Sequence, residues 1–140
     1  MRYAYPLELT LDEDGRIIAT FPDVPEAITD GTDGAEAASE AQDALVAALA
    51  GYVHDKRDIP KPSRSAGRRT IPLPPLVAAK LALYQAMRRQ GLNNVALSRK
   101  LGISEAAVRR LVDPDHASRI DRIEHALGVL GVDLVVEDAA

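Results

Sequence analysis

Apolar and polar residues alternate at the start of the chain, which is the pattern of a half-buried β-strand. Within residues 2–11 the apolar set is Tyr3, Tyr5, Leu7, Leu9 and Leu11. Pro6 falls inside this predicted strand and lacks an N–H, so we expect an edge or a bulge there. Residues 12–15 form a turn that ends in glycine, and residues 16–21 return as the second strand of a hairpin. Residues 26–30 predict a third short strand.

A run of strong helix formers follows, from residue 35 to about residue 55. Apolar side chains recur there at three- and four-residue spacing, which predicts an amphipathic helix. The apolar stripe consists of Ala38, Ala41, Leu45, Ala48 and Tyr52, widened by Leu49 and Val53. A hairpin with one helix packed across it predicts a small α+β domain over residues 1–60. A domain of this size gains stability from a partner or a second copy.

Prolines and basic residues separate this first domain from the rest of the chain. Residues 58–75 contain five of the nine prolines, together with four basic side chains. Because proline favours extended backbone, we expect an interdomain linker over residues 61–73 that is mobile in its middle. Residues 74–140 then form a second domain.

Helical periodicity dominates the second domain. Residues 76–90 predict a helix with an inward stripe of Val77, Leu81, Tyr84 and Met87. Asn93 or Asn94 begins the next helix, and Ser104 begins a third. Ser118, followed three residues later by an aspartate, predicts a capping box for a fourth helix. Its expected buried side chains are Ile120, Ile123, Leu127 and Leu130.

Residues 97–111 carry the spacing of a helix-turn-helix, the module that places one helix in the DNA major groove. Leu97 and Leu101 lie one helical turn apart, and Gly102 suits the sharp turn that side chains with a Cβ resist. Ile103 is expected to return an apolar side chain to the core, and Ser104 to cap the next helix. The inward side chains of that helix are Val108, Leu111 and Val112.

The register of this motif predicts which side chains approach DNA. Ser104, Glu105 and Ala106 are expected nearest the base edges, while Arg109 can reach a guanine or a phosphate. Arg110 lies beside it. Paired arginines are usually only a solvated helix surface, but their position on the groove helix favours DNA contact. Phosphate contacts, which orient a protein without reading sequence, are expected from Asn94, Arg99 and Lys100.

Charge is distributed unevenly beneath an overall net charge of −4. Residues 1–57 carry four basic and twelve acidic side chains, a net charge of −8, whereas residues 58–69 carry +3 and residues 70–140 carry +1. The acidic first part repels nucleic acid and suits a basic protein partner. A charge of +1 is small for a DNA-binding domain, so we expect a homodimer that doubles the phosphate contacts.

Several other classes of site are disfavoured. The chain has no cysteine, which excludes disulfides and thiolate metal sites. The three histidines, at positions 54, 116 and 125, lack the spacing of a metal site, and no glycine-rich phosphate-binding motif occurs. No apolar run approaches the roughly 20 residues that span a bilayer. We therefore expect a cytoplasmic protein with no cofactor, no metal and no membrane contact.

Residues 21–31 read Phe-Pro-Asp-Val-Pro-Glu-Ala-Ile-Thr-Asp-Gly, between the tyrosine-rich strand and the alanine-rich helix. This arrangement resembles the N-terminal domain of the HicB family of type II toxin–antitoxin antitoxins, through the F-P-D-x-P motif and the T-x-G turn. The second half resembles a helix-turn-helix of the Cro and lambda-repressor type. The two resemblances cover nearly the whole chain. Glu26-Ala27 departs from the commonest family pattern, in which a glycine often follows the second proline.

The resemblance implies an α+β chain with a degraded RNase H-like domain and a C-terminal all-α helix-turn-helix domain. It implies that the first domain binds and neutralises a HicA-type toxin that cleaves mRNA, and that the second binds operator DNA and represses the operon. It implies no enzymatic activity of the chain itself. Charge and motif position suggest toxin contacts at Asp23, Val24, Glu26 and Asp30. The expected assembly is a homodimer, or a higher oligomer with the toxin.

Two other functions remain open. A ligand-responsive helix-turn-helix transcriptional regulator would bind a small molecule in place of a toxin, although 4% aromatic content and a short first domain disfavour a ligand pocket. A residual RNase H-like nuclease would need carboxylates that converge on divalent metal ions. Asp12, Glu13 and Asp14 are consecutive in a turn, so their side chains are expected to diverge.

Overall fold

The computed structural model describes residues 1–139. The chain divides into two compact units, Met1–Pro74 (unit 1) and Pro75–Ala140 (unit 2). Unit 1 contains β1 (Ala4–Pro6), β2 (Glu8–Leu11), β3 (Ile17–Thr20), β4 (Ile28–Gly31), α1 (Gly34–His54) and β5 (Thr70–Pro72). Unit 2 contains α2 (Pro75–Arg89), α3 (Asn94–Leu101), α4 (Glu105–Val112) and α5 (Ile120–Val129). None of the described helices combines the length and the apolar character that crossing a membrane requires.

The strands of unit 1 form two antiparallel sheets. One sheet has the order β2-β3-β4, with Leu9 opposite Ala19 and Ala19 opposite Thr29. The other pairs β1 with β5, with Tyr5 opposite Ile71. The predicted N-terminal antiparallel sheet, its first hairpin and the long helix after it are confirmed.

The single strand predicted over residues 2–11 is wrong in its continuity. Residues 4–6 pair with β5, and residues 8–11 pair with β3 in the other sheet. The change occurs at Pro6–Leu7, where proline offers no N–H and the Leu7 N–H donates to the Arg69 carbonyl at 2.8 Å. The two halves of the alternating segment therefore belong to different sheets.

The apolar side chains predicted to be buried along residues 2–11 are buried only in the first half of that segment. Tyr5 and Leu7 are buried, whereas Leu9 is exposed and the Leu11 side chain is 70% exposed. The reason is that β2 lies at the edge of its sheet, while α1 packs mainly on β4 and less on β3. Alternation correctly indicates a strand here, but the covering helix does not extend over its edge.

The turn between β2 and β3 is built by Asp12. Its carboxylate accepts N–H groups from Asp14 at 2.9 Å and from Arg16 at 2.8 Å. Gly15 follows in the left-handed region, with φ of 79°, where residues with a Cβ are strained. The Asp12 carboxylate is thus part of the turn.

Helix α1 covers the sheet and begins immediately after β4. Its N-cap is Asp33, whose side chain accepts the Glu36 N–H at 2.8 Å. Gly31 is required at the entry, since a Cβ there would lie 2.5 Å from the Ala37 nitrogen. The largest fully buried apolar side chains of unit 1 are Tyr5, Phe21, Val24, Leu45 and Leu49.

The linker expected over residues 61–73 is partly structured. Its last part forms β5 and contributes buried side chains from Ile71 and Leu73 to unit 1. The Pro72 carbonyl also accepts a hydrogen bond from Gln42 Nε2 at 2.8 Å. Strand pairing with β1 involves residues more than sixty positions away, which local composition does not report.

Unit 2 follows the predicted helical order. Asn93 caps α3, and Ser104 caps α4. The buried side chains of α4 are Val108, Leu111 and Val112, as predicted. The rest of the core includes Leu81, Leu83, Leu97, Ile123 and Leu127.

Three details of unit 2 differ from the expectations. The Ile103 side chain is 39% exposed instead of entering the core, and Ile120 is exposed at the start of α5. Ser118 does not cap α5; the N-cap position is Arg119, which makes no side-chain capping bond. The Ser118 hydroxyl instead accepts a hydrogen bond from Lys80.

Candidate nucleic-acid and protein-binding surfaces

The connection between α3 and α4 is held by backbone hydrogen bonds. Gly102 lies in the left-handed region, at φ 67° and ψ 32°, and its N–H donates to the Ser98 carbonyl. The Ile103 N–H donates to the same carbonyl at 3.1 Å. Ser104 Oγ then accepts the Ala107 N–H at 3.1 Å, which starts α4. These bonds set the direction in which α4 leaves α3.

The residues predicted to approach DNA lie on this pair of helices. Ser104, Arg109 and Arg110 are exposed, and Glu105 and Ala106 are half-buried at the first turn of α4. In α3, Arg99 and Lys100 are exposed in the last turn, whereas Asn94 is half-buried at the first position. The structure thus presents four cations, Arg99, Lys100, Arg109 and Arg110, to solvent on α3 and α4.

Arg109 has an intramolecular partner. Its guanidinium pairs with the Glu105 carboxylate one turn earlier on α4. Both side chains are more than one-third exposed, and exposed pairs of this spacing are weak. A phosphate or a guanine can therefore compete with Glu105 for Arg109.

Lys80 is a buried polar residue of unit 2 that is not among the predicted site residues. Its side chain is fully buried, and its Nζ donates to the carbonyls of Arg110 at 2.7 Å and Leu111 at 3.1 Å and to Ser118 Oγ at 2.7 Å. Burial lowers the pKa of this ammonium, and the Asp113 carboxylate opposes the shift. The signal in the sequence is a lysine three and four positions before Leu83 and Tyr84, on the apolar side of α2.

Asp30, one of the predicted toxin contacts, lies on β4 and pairs with Arg16 at the end of the turn between β2 and β3. Its carboxylate accepts Arg16 Nε at 2.6 Å. This hydrogen bond lowers the pKa of Asp30. Both side chains are close to half exposed, so the pair lies at the surface.

Glu26 belongs to a surface cluster with Tyr52 and Arg57, both on or just after α1. The Tyr52 hydroxyl lies 2.8 and 3.0 Å from the two Glu26 carboxylate oxygens, and Arg57 Nη1 lies 3.5 Å from one of them. The Arg57 guanidinium also stacks over the Tyr52 ring, 4.1 Å from its centroid. Hydrogen bonding from Tyr52, more than the charge of Arg57, lowers the pKa of Glu26.

The remaining two predicted toxin contacts behave differently from each other. Asp23 is half-buried, and its carboxylate accepts the Ser63 N–H at 2.8 Å and the Ser63 hydroxyl at 3.0 Å. Val24 is fully buried in the core of unit 1, so its side chain cannot reach a partner. The prediction of a contact through the Val24 side chain therefore does not agree with the structure, because the turn after Phe21 directs this side chain inward.

Comparison with known proteins identifies a family and several relatives of this chain. A family model for HicB-like antitoxins of bacterial toxin–antitoxin systems matches residues 4–82. Antitoxin HicB 2 of Photorhabdus laumondii subsp. laumondii is 40% identical over 127 residues, covering 91% of this chain and 90% of that protein. Antitoxin HicB of Escherichia coli strain K12 is 35% identical over 131 residues, covering 93% and 95%. Antitoxin HicB of Pseudomonas fluorescens strain Pf0-1 is 36% identical over 133 residues, covering 92% and 89%.

Proposed function

Since the chain belongs to the HicB-like antitoxin family of bacterial toxin–antitoxin systems, we propose that it binds and neutralises a HicA-type toxin that cleaves mRNA. We further propose that it represses its own operon by binding operator DNA. The family match, which extends over all of unit 1 from β1, is the observation that carries the antitoxin role.

Unit 1 is the proposed toxin-binding part, a degraded RNase H-like domain without catalytic activity. It carries eight basic and thirteen acidic side chains, so it attracts a basic ribonuclease. The proposed contacts are Asp23, Glu26 and Asp30. Each already has an internal partner, which holds the carboxylate in one orientation before the toxin arrives. An ordered acidic surface loses less conformational entropy on binding than a mobile one.

Unit 2 is the proposed DNA-binding part, a helix-turn-helix of the Cro and lambda-repressor type. The support is the capped α3–α4 connection and the four exposed cations on it. In this arrangement α4 enters the major groove, with Ser104, Glu105, Ala106 and Arg109 near the bases. Asn94, Arg99, Lys100 and Arg110 then contact phosphates.

The proposed assembly on DNA is a homodimer. Unit 2 has nine basic and eight acidic side chains, a net charge of +1, so one copy offers little electrostatic affinity. Two copies reading a palindrome double the contacts. The proposed site of action is the cytoplasm, where a toxin that cleaves mRNA acts.

The test uses the full chain with the product of the adjacent open reading frame and with its own promoter. We expect co-purification with a small basic protein, protection of mRNA from that protein, and a specific shift of the promoter fragment. Promoter binding without toxin binding would support the ligand-responsive regulator instead. Failure of both interactions would reject the proposal.

A second arm of the test addresses the acidic surface. Replacement of Glu26 and Asp30 together by lysine should weaken toxin binding and leave promoter binding unchanged, since both residues lie in unit 1. The matched control replaces Glu40 and Asp43, exposed acids on α1, by lysine. Equal losses in the two variants would show that only net charge matters and that the proposed contacts are wrong.

A further inference from the structure

Lys80 places a positive charge in the interior of unit 2. The side chain has no exposed surface, and the three N–H groups of its ammonium match three acceptors within 3.1 Å. A buried ammonium is costly unless every donor is satisfied. In the described residues no buried side-chain nitrogen or oxygen lacks a hydrogen-bond partner, so this ammonium is fully accommodated.

The three hydrogen-bond acceptors show which parts of unit 2 the Lys80 ammonium stabilises. Two of them are the carbonyls of Arg110 and Leu111, in the last turn of α4, whose own intrahelical partners are missing at a helix end. A cation at this end also interacts favourably with the helix dipole. The third acceptor, Ser118, lies just before α5, and its hydroxyl in turn donates to the Arg110 carbonyl at 3.3 Å.

These contacts connect three parts of unit 2 at one atom. Nζ of Lys80 on α2 holds the end of α4 and the segment that leads into α5. Lys80 binds the Arg110 carbonyl on the buried side of α4, while the Arg110 side chain is exposed to solvent. An apolar side chain at position 80 would fill space but could not satisfy these carbonyls, and so would not specify one orientation of the helix end.

We propose that Lys80 is a positioning residue for DNA recognition, which fixes the C-terminal end of α4 and thereby the direction in which Arg109 and Arg110 face the groove. This inference rests on the proposed DNA-binding function. Because Lys80 is buried, it makes no DNA contact of its own. Its loss should therefore reduce discrimination between operator and unrelated DNA more than it reduces charge-driven binding.

The experiment exploits the absence of cysteine from the chain. Lys80→Cys introduces a single thiol, which 2-bromoethylamine alkylates in denaturant to restore an ammonium at nearly the same distance from the backbone. After refolding, affinity is measured for the operator and for a random duplex of equal length, under conditions where circular dichroism shows each protein to be folded. The ratio of the two affinities should fall about tenfold in Lys80→Cys and recover on alkylation.

Leu83→Ala is the matched control, because Leu83 is equally buried on α2 and contributes apolar packing. It should lower stability and leave the affinity ratio of the folded protein unchanged. If Lys80→Cys does not refold, Ser118→Ala tests the inference instead, since it removes one of the three acceptors of the Lys80 ammonium. It should lower the ratio of operator to random-duplex affinity by less than tenfold.

The outcomes separate this inference from the function on which it rests. An unmodified protein that prefers its operator, with an unchanged ratio in Lys80→Cys or in the folded Ser118→Ala protein, would overturn the positioning role alone. A lowered ratio that alkylation does not restore would also overturn it, since the charge would then be irrelevant. An unmodified protein with no operator preference would reject the proposed function and this inference with it.

Discussion

At the scale of single residues, three of the charged side chains at the candidate surfaces already form ion pairs within the chain. Glu26, Asp30 and Arg109 each have a partner of opposite charge on the same unit. Exposed pairs of this kind contribute little to stability, so they mainly fix side-chain direction and remain open to competition. A partner that binds one of these three side chains must therefore replace the internal ion pair. Its affinity depends on how much more favourable the new contact is than the internal pair.

We expect the Glu26 cluster to make the stability of unit 1 decrease in acid. Because hydrogen bonding holds the pKa of Glu26 below its ordinary value of 4.5, the folded protein binds fewer protons than the unfolded chain as pH falls through this region. The stabilisation is complete above about pH 4.5 and is lost as pH decreases towards the folded pKa. The free energy of unfolding, measured by urea titration with the amide signals of β3 as the probe, should decrease over this pH range.

In Glu26→Gln the free energy of unfolding should fall less in acid than in the unmodified protein. The difference should be less than about 1 kcal/mol, because the carboxylate is nearly half exposed. Tyr52→Phe removes the main hydrogen-bond donor and should reduce this fall in acid as well. Glu40→Gln, at an exposed position of α1 outside the cluster, is the control. A pH profile for Glu26→Gln that overlays the unmodified profile would contradict this account.

Arg109 is the most informative single residue for testing the proposed DNA recognition. Arg109→Ala should weaken operator binding by roughly 1–3 kcal/mol if the guanidinium contacts a base, and by less if it contacts only phosphate. Titration in a gel-shift assay measures the loss. Arg122→Ala, an exposed arginine on α5, is the matched control and should change the affinity little. Equal affinity of the Arg109→Ala and unmodified proteins would remove Arg109 from the interface.

At the scale of elements, the contact between β4 and the start of α1 is the tightest constraint in unit 1. Gly31 ends β4, and the first turn of α1 passes so close that a Cβ would lie 2.5 Å from the Ala37 nitrogen and 2.8 Å from its Cα. Both atoms belong to the backbone, so the clash cannot be relieved by a side-chain rotation. This explains the glycine of the T-x-G turn: it lets the helix approach the sheet.

Gly31→Ala should accordingly destabilise unit 1 by about 1–3 kcal/mol through overpacking. Gly51→Ala provides a control on the same helix, because nothing lies within 4 Å of its added Cβ and the backbone is helical. That variant should stabilise the protein by roughly 0.5–1 kcal/mol. Thermal unfolding by circular dichroism compares the two, and destabilisation of similar size in both would show that the close approach is not the cause.

At the scale of the whole molecule, charge and secondary structure divide at the same place. The first seventy-four residues carry a net charge of −5 and all the described strands, with α1. The remainder carries +1, and its described elements are the four helices α2 to α5. This division is compatible with the two proposed partners, a basic protein for unit 1 and DNA for unit 2.

Separating the units should separate the two proposed activities. The cut belongs between Pro74 and Pro75, because an earlier cut would remove β5 from its pairing with β1. Residues 1–74 should retain toxin binding, and residues 75–140 should retain operator preference, in pull-down and gel-shift assays. Loss of both activities from both fragments, when circular dichroism shows the fragments to be folded, would argue against independent functions.

Salt should weaken the operator complex strongly. If Arg99, Lys100, Arg109 and Arg110 neutralise phosphates, the logarithm of the affinity should fall linearly with the logarithm of salt concentration, by about 0.9 per phosphate contact. Fluorescence anisotropy over a salt series measures the slope. Replacing Lys100 by methionine should reduce the slope by about one for each DNA-bound copy, and a flat salt dependence would contradict phosphate-driven docking.

Local signals in the sequence determined much of this protein. The sequence predicted the start of α3 at Asn93 or Asn94, its end at Gly102 and the start of α4 at Ser104, because caps and left-handed turns depend only on neighbouring residues. The stripe of α1 and the hairpin at Asp12–Gly15 were predicted for the same reason. The positions of the charged residues on these elements followed directly from helical and strand periodicity.

Tertiary structure alone decided what depends on distant residues. The division of residues 2–11 between two sheets, the strand at the end of the expected linker, the burial of Val24 and the exposure of Leu11 all follow from which segments pack together. Lys80 is the clearest case, since its partners lie 30 to 38 positions further along the chain. Periodicity describes one element at a time, whereas burial and long-range hydrogen bonding are properties of the packed elements together.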